Sequence, residues 1–180
     1  MGNKESKSEY GTILVHTDQP FCISGQAVTG NVHIQIKKPF LAKSLVLELA
    51  GKEKCKWYVQ KQRIEGEGED MHVVHYEEKY SDKKDIIEFE TTLVEFGEEI
   101  LAVGQYTFPF SFNLPADCPA STYYTGSMKS IAYVKYKCKA KLDGHDDNKI
   151  KFKSGIVVRQ MNTNGSGNLK GSEEVEIKKC

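Results

Sequence analysis

The sequence predicts an all-β fold, a two-sheet β-sandwich, on three observations. Apolar and polar residues alternate along most of the chain, turn residues punctuate the alternation at short intervals, and no stretch sustains a helical period. Successive side chains on a strand point to opposite faces, so a period of two marks a strand with one face buried. About eight short strands punctuated in this way pack as two facing sheets.

Taken in order, a weaker strand is expected at 11–17. Val32, Ile34 and Ile36 then face one way and Asn31, His33, Gln35 and Lys37 the other. Leu45, Leu47 and Leu49 repeat the pattern. After a weaker strand at 70–80, Ile87, Phe89, Thr91 and Leu93 alternate with Glu88, Glu90 and Thr92. Tyr106, Phe108, Phe110, Phe112 and Leu114 form an aromatic face whose outward partners include Pro109, a residue that a strand tolerates near an edge or bulge. Ala132, Val134, Tyr136, Cys138, Ala140 and Leu142 alternate with a row of lysines, and Ile150, Phe152, Ile156 and Val158 follow the same rule. Turns are expected at Ser24-Gly25, Lys38-Pro39, Glu65-Gly66-Glu67-Gly68, Phe96-Gly97, Thr125-Gly126 and Asp143-Gly144.

The chain has 180 residues, enough to bury a core without cross-links. We expect a flexible arm at 1–10, one sandwich domain at 11–160, and a polar linker and tail at 161–180. Its formal net charge is zero, but residues 65–99 carry 13 Asp/Glu against 3 Lys, and residues 129–159 carry 9 Lys/Arg against 3 Asp. An odd number of cysteines, with no zinc-ligand spacing, reads as free thiols of a reducing cytoplasm. No signal-peptide core and no membrane-length apolar run occurs.

Three segments together resemble the N-terminal domain of arrestins, especially the arrestin-domain-containing branch. They are Gly30 to Ile34 running through Lys38-Pro39-Phe40 to Gly51 and Trp57; Leu101 to Pro115, with Gly104-Gln105-Tyr106-Thr107-Phe108-Pro109-Phe110 at its centre; and Pro119-Ala120-Ser121 followed by Ile131 to Ala140. The resemblance implies an immunoglobulin-like sandwich and adaptor work: binding cytoplasmic tails of membrane proteins in protein transport, endocytosis or signalling. It also implies a polar core in which Arg159 pairs with an acidic residue, for which Asp18 is the candidate. No Pro-Pro-x-Tyr motif and no paired lysines on the first strand accompany it. Two other readings stay open at this point: a structural trafficking subunit of the retromer or coat kind, and a sandwich that binds sugars or other small ligands.

Alternation also builds a lysine face. Lys135, Lys137, Lys139 and Lys141 share one side of a strand, and Lys149, Lys151 and Lys153 share one side of the next. In an antiparallel hairpin with matched apolar faces, Lys141 pairs with Lys149 or Lys151, and all seven lysines point the same way. Like charges opposed across strands are unfavourable. The face is therefore a candidate for phosphate, inositol phosphate or acidic lipid, and otherwise a solubilising surface. No series of stacking aromatics accompanies it, so nucleic acid is not an expected partner.

The start Met1-Gly2-Asn3-Lys4-Glu5-Ser6 fits the N-myristoylation pattern, with Gly2 as the acceptor. Cys180, after Lys178-Lys179, is a further candidate acylation thiol. The expected location is cytoplasmic and peripheral at the plasma membrane or endosome. No catalytic residues, metal ligands or cofactors are expected. His72 and His75 fall on opposite faces of a strand, and no Walker loop, nucleophile elbow or dinucleotide fingerprint occurs.

Overall fold

A computed structural model describes residues 4–5, 8–127 and 129–161. Its strands are β1 (Lys4–Glu5), β2 (Gly11–Thr17), β3 (Cys22–Ile23), β4 (Ala27–Ile36), β5 (Phe40–Glu65), β6 (His72–Leu101), β7 (Gly104–Asn113), β8 (Thr122–Thr125), β9 (Ile131–Gly144), β10 (Lys149–Ile156) and β11 (Val158–Arg159). A six-stranded sheet has the order β1-β10-β9-β5-β6, with β8 also on β9; a three-stranded sheet has the order β2-β4-β7; and β11 runs parallel to β3.

The two main sheets bury the faces that the alternation marks. Val32, Ile34 and Ile36 of β4, with Phe110 and Phe112 of β7, form one half of the core, and Leu45, Leu47 and Leu49 of β5, with Tyr136, Cys138, Ala140 and Leu142 of β9, form the other. Leu45, Leu142 and Ile150 lie side by side on adjacent strands, each 0% exposed. Burying each such side chain contributes about 1.5–3 kcal/mol. Pro109 is exposed on β7, an edge strand, where its missing N–H leaves no ladder partner wanting.

Gly51 positions the centre of the larger sheet. A Cβ there would come within 2.5 Å of Tyr136 Cε1 and 2.8 Å of Ile87 Cγ2, so glycine lets the ring lie against the strand. The buried ring has its polar end satisfied, because Tyr136 Oη donates to the Pro119 carbonyl at 2.7 Å. Cys22, Cys118 and Cys138 are buried free thiols, and burial pushes Cys138 up to about 12. A thiol so shifted carries almost no reactive thiolate at neutral pH.

Two expectations need correction. Phe96-Gly97 is not a chain reversal. β6 runs straight through it, and the register slips where Ser44 faces Glu95 while Ala42 faces Glu99. Gly97 takes φ +68° at this bulge, the left-handed region in which glycine pays no Cβ penalty. The segments around 44–49 and 87–93 are also not short strands but parts of β5 and β6. A second slip, between Leu45 and Val46, makes Leu93 the extra residue of a bulge, and it packs against the core as Ile87 does.

β5 pairs with β9 only as far as Lys56 and Ile131. From Trp57–Tyr80 to Glu65–His72 the β5–β6 hairpin continues as a ribbon of two strands, nine residue pairs long. That is an arm of about 30 Å. It is held by surface pairs: Trp57 stacks on Tyr80 at 5.5 Å, Lys61 pairs with Glu78, and Arg63 lies over Tyr76 at 5.4 Å. A two-stranded ribbon without a buried face is marginally stable on its own. In native-state hydrogen exchange, the amides of 57–65 and 72–80 are expected to exchange well before those of 44–49 and 136–142. Equal protection in the two groups would contradict this.

A candidate anion-binding face on the six-stranded sheet

Ile150 and Phe152 on β10, and Ala140 and Leu142 on β9, point into the core, so the residues between them must point out. The register is Lys151 against Lys141, Lys153 against Lys139, and Gly155 against Lys137. Of the two pairings that alternation allows, the hairpin adopts Lys141 with Lys151. Its turn places Asp146 and Asp147 at φ 55° and 59°, a region that aspartate tolerates better than most residues. The turn is closed by a hydrogen bond from the Gly144 N–H to the Asn148 carbonyl at 2.8 Å. All seven lysines therefore share the outward face.

Four of the seven are compensated. Lys139 pairs with Glu48 of β5, Lys141 with Asp143 at 2.8 Å, and Lys149 with Asp147 at 3.8 Å. Lys135 lies over the rings of Tyr123 and Tyr133, 4.3 Å from each centroid. Among the described residues no ion pair reaches Lys137, Lys151 or Lys153, and all three are exposed. Repulsion from Lys137, with a smaller part from burial and from Lys139, holds Lys153 below the usual lysine range. The face thus keeps a local excess of positive charge that an anion would relieve.

The short strand β1 adds to the free side of β10, with Lys4 opposite Lys153 and Glu5 opposite Phe152. Gly2 itself, like Cys180, lies outside the described residues.

Arg159 and Asp18 are not brought together, and neither is in the core. Val158 takes the buried position at the start of β11, 1% exposed, so the next residue must point outward. Arg159 lies over the Phe21 ring at 4.1 Å, while Asp18 accepts a hydrogen bond from Thr29 Oγ1 at the surface. Among the described residues no charged side chain is buried. His72 and His75, opposite Glu65 and Gln62, fall on opposite faces of the arm.

Sequence reasoning missed the residues that set the charge balance of the face. Glu48 is 91 residues away from Lys139, and only the β5–β9 register joins them. Tyr123 reaches Lys135 through β8, a strand of four exposed residues with no alternation to reveal it.

Among the described residues no helix is long and apolar enough to cross a membrane. Residues 12–164 match the family described as arrestin (or S-antigen), N-terminal domain. Arrestin domain-containing protein A of Dictyostelium discoideum is 26% identical over 152 residues, which cover 82% of this chain and 26% of that protein. Arrestin domain-containing protein 17 of Caenorhabditis elegans is 28% identical over 134 residues, covering 71% of this chain and 29% of that protein. The chain therefore spans between a quarter and a third of the length of these two relatives. Among solved structures, the sporulation control protein Spo0M of Bacillus subtilis is 16% identical, with a TM-score of 0.45 over 84% of this chain and 50% of that one. With the match running from β2 through β11, the chain belongs to the arrestin family, of which it carries the N-terminal domain.

Proposed function

We propose that the chain is a non-enzymatic arrestin-like adaptor that binds cytoplasmic tails of membrane proteins in transport, endocytosis or signalling while reversibly tethered to the membrane. The observation that carries this reading is the row of uncompensated lysines Lys137, Lys151 and Lys153 on one outward face, with the N-terminal strand on its border. Those lysines meet the phosphates of acidic lipids or inositol phosphates. An acyl chain on Gly2 gives only reversible attachment, with an association constant of about 10⁴ M⁻¹. Each lysine near an anionic surface adds about 1 kcal/mol, so neither signal suffices alone and the two together hold the domain. A tail in extended conformation then lies along a free sheet edge, where the backbone ladder supplies affinity and side-chain pockets supply selection.

Crosslinking in cells tests the adaptor role. A photoreactive residue in place of Thr107, on the edge strand β7, is expected to capture membrane proteins through their cytoplasmic segments. Crosslinks confined to soluble proteins would contradict the reading.

A further inference from the structure

The lysine half is only one side of the outer face. Across β10, β9, β5 and β6 the residues Lys153, Lys139, Glu48 and Glu90 stand in one row, so the charges read plus, plus, minus, minus. In the next row Gly155, Lys137, Ala50 and Glu88 read neutral, plus, neutral, minus. The acidic end is as uncompensated as the basic one: Glu88 and Glu90 are exposed, and among the described residues neither forms an ion pair. Between the two ends lie Val46 and Ala50 on β5, flanking the internally paired Glu48.

We propose that this face binds the same face of a second copy of the chain, about a twofold axis parallel to the strands and between β9 and β5. Such a rotation preserves position along the strands and reverses the order across them. In the first row Lys153 of one copy meets Glu90 of the other and Lys139 meets Glu48, while in the next row Lys137 falls opposite Ala50, one strand spacing (about 4.8 Å) from Glu88 of the other copy and within reach of its long side chain. The interface is self-complementary, as a twofold contact requires. Four strands by about eight residues give a patch of roughly 19 Å by 26 Å, so the pair buries about 1,000 Å² in all. That is the low end of specific interfaces, and the dimer is accordingly weak, concentration-dependent and salt-sensitive. The inference does not rest on the anion-binding reading. Because the same lysines serve both, an anionic surface and a second copy compete for this face.

Sedimentation velocity on the full chain tests it, with two charge-reversed variants. One carries Lys137→Glu and Lys153→Glu, the other Glu88→Lys and Glu90→Lys. Wild type is expected to move from monomer to dimer through the micromolar range at low salt. It should return to monomer at 1 M salt, where the screening length is about 3 Å. Each variant alone should stay monomeric, its dimerisation weakened at least about tenfold, because positions 153 and 90 then oppose like charges in both halves of the twofold contact. The equimolar mixture should re-form a dimer, because positions 153 and 90 then again oppose unlike charges in both halves of the contact. A wild type that stays monomeric, a dimer indifferent to salt, or a mixture that remains monomeric while both variants keep the wild-type circular dichroism would overturn the proposal.

Discussion

Ile150→Ala is expected to lower the unfolding free energy by about 3 kcal/mol, within the 2–5 kcal/mol range for large-to-small core changes. Lys151→Ala, one residue along, should change it by less than about 0.5 kcal/mol. Ile150 is 0% exposed and lies against Leu142, which in turn lies against Leu45. The three strands are tied by ladder hydrogen bonds, so their backbones cannot collapse to fill the space left by a removed side chain. Lost transfer energy and an unfilled cavity therefore add. Lys151 points the other way, towards Lys141, and its removal relieves repulsion as much as it loses packing. For a chain of this length, about 3 kcal/mol corresponds to a fall in melting temperature of roughly 6–12 °C. Urea unfolding measures both variants, with the midpoint moving and the slope held. Equal losses for the two would contradict the assignment of faces on β10.

That assignment was readable before any coordinates, because β4, β7, β9 and β10 each bury one face and expose the other. Selection on such strands acts on alternate residues, and the pattern survives in Val32-His33-Ile34 or in Cys138-Lys139-Ala140. β5 and β6 were harder for an identifiable reason. Beyond Trp57 and Tyr80 the arm has no buried face, so nothing imposes alternation, and its strands read as loop or weak strand. Phe96-Gly97 misled because a glycine with positive φ serves a turn and a bulge equally. Arg159 was placed by resemblance, whereas alternation from the buried Val158 already put it outside. For the candidate site, periodicity alone delivered the seven lysines and narrowed their register to two choices. It could not deliver Glu48, Glu88 or Glu90 as neighbours of that face, because cross-sheet order among distant strands leaves no local trace in a sequence.

The lysine face carries the second large expected effect. Lys137→Glu, Lys151→Glu and Lys153→Glu together are expected to weaken binding to anionic vesicles more than about a hundredfold. Three lysines at about 1 kcal/mol each supply roughly 3 kcal/mol, and every 1.4 kcal/mol is a factor of ten. Reversal adds repulsion to that loss. The remaining four lysines do not make up the deficit, because Lys139, Lys141 and Lys149 are held by carboxylates and Lys135 by two tyrosine rings. All three substituted positions are exposed, so the fold should be retained.

The most direct measurement is flotation of the purified chain on liposomes containing phosphoinositides, comparing wild type, this triple variant and a control with Lys79→Glu, Lys83→Glu and Lys84→Glu. The control makes the same change in net charge at exposed sites on β6 nearer the arm, two strands from β9. A membrane-facing lysine surface predicts that wild type and control float and the triple variant does not. If the triple variant floats with wild type, or the two variants lose binding equally, the lysine face is not where the domain meets the membrane.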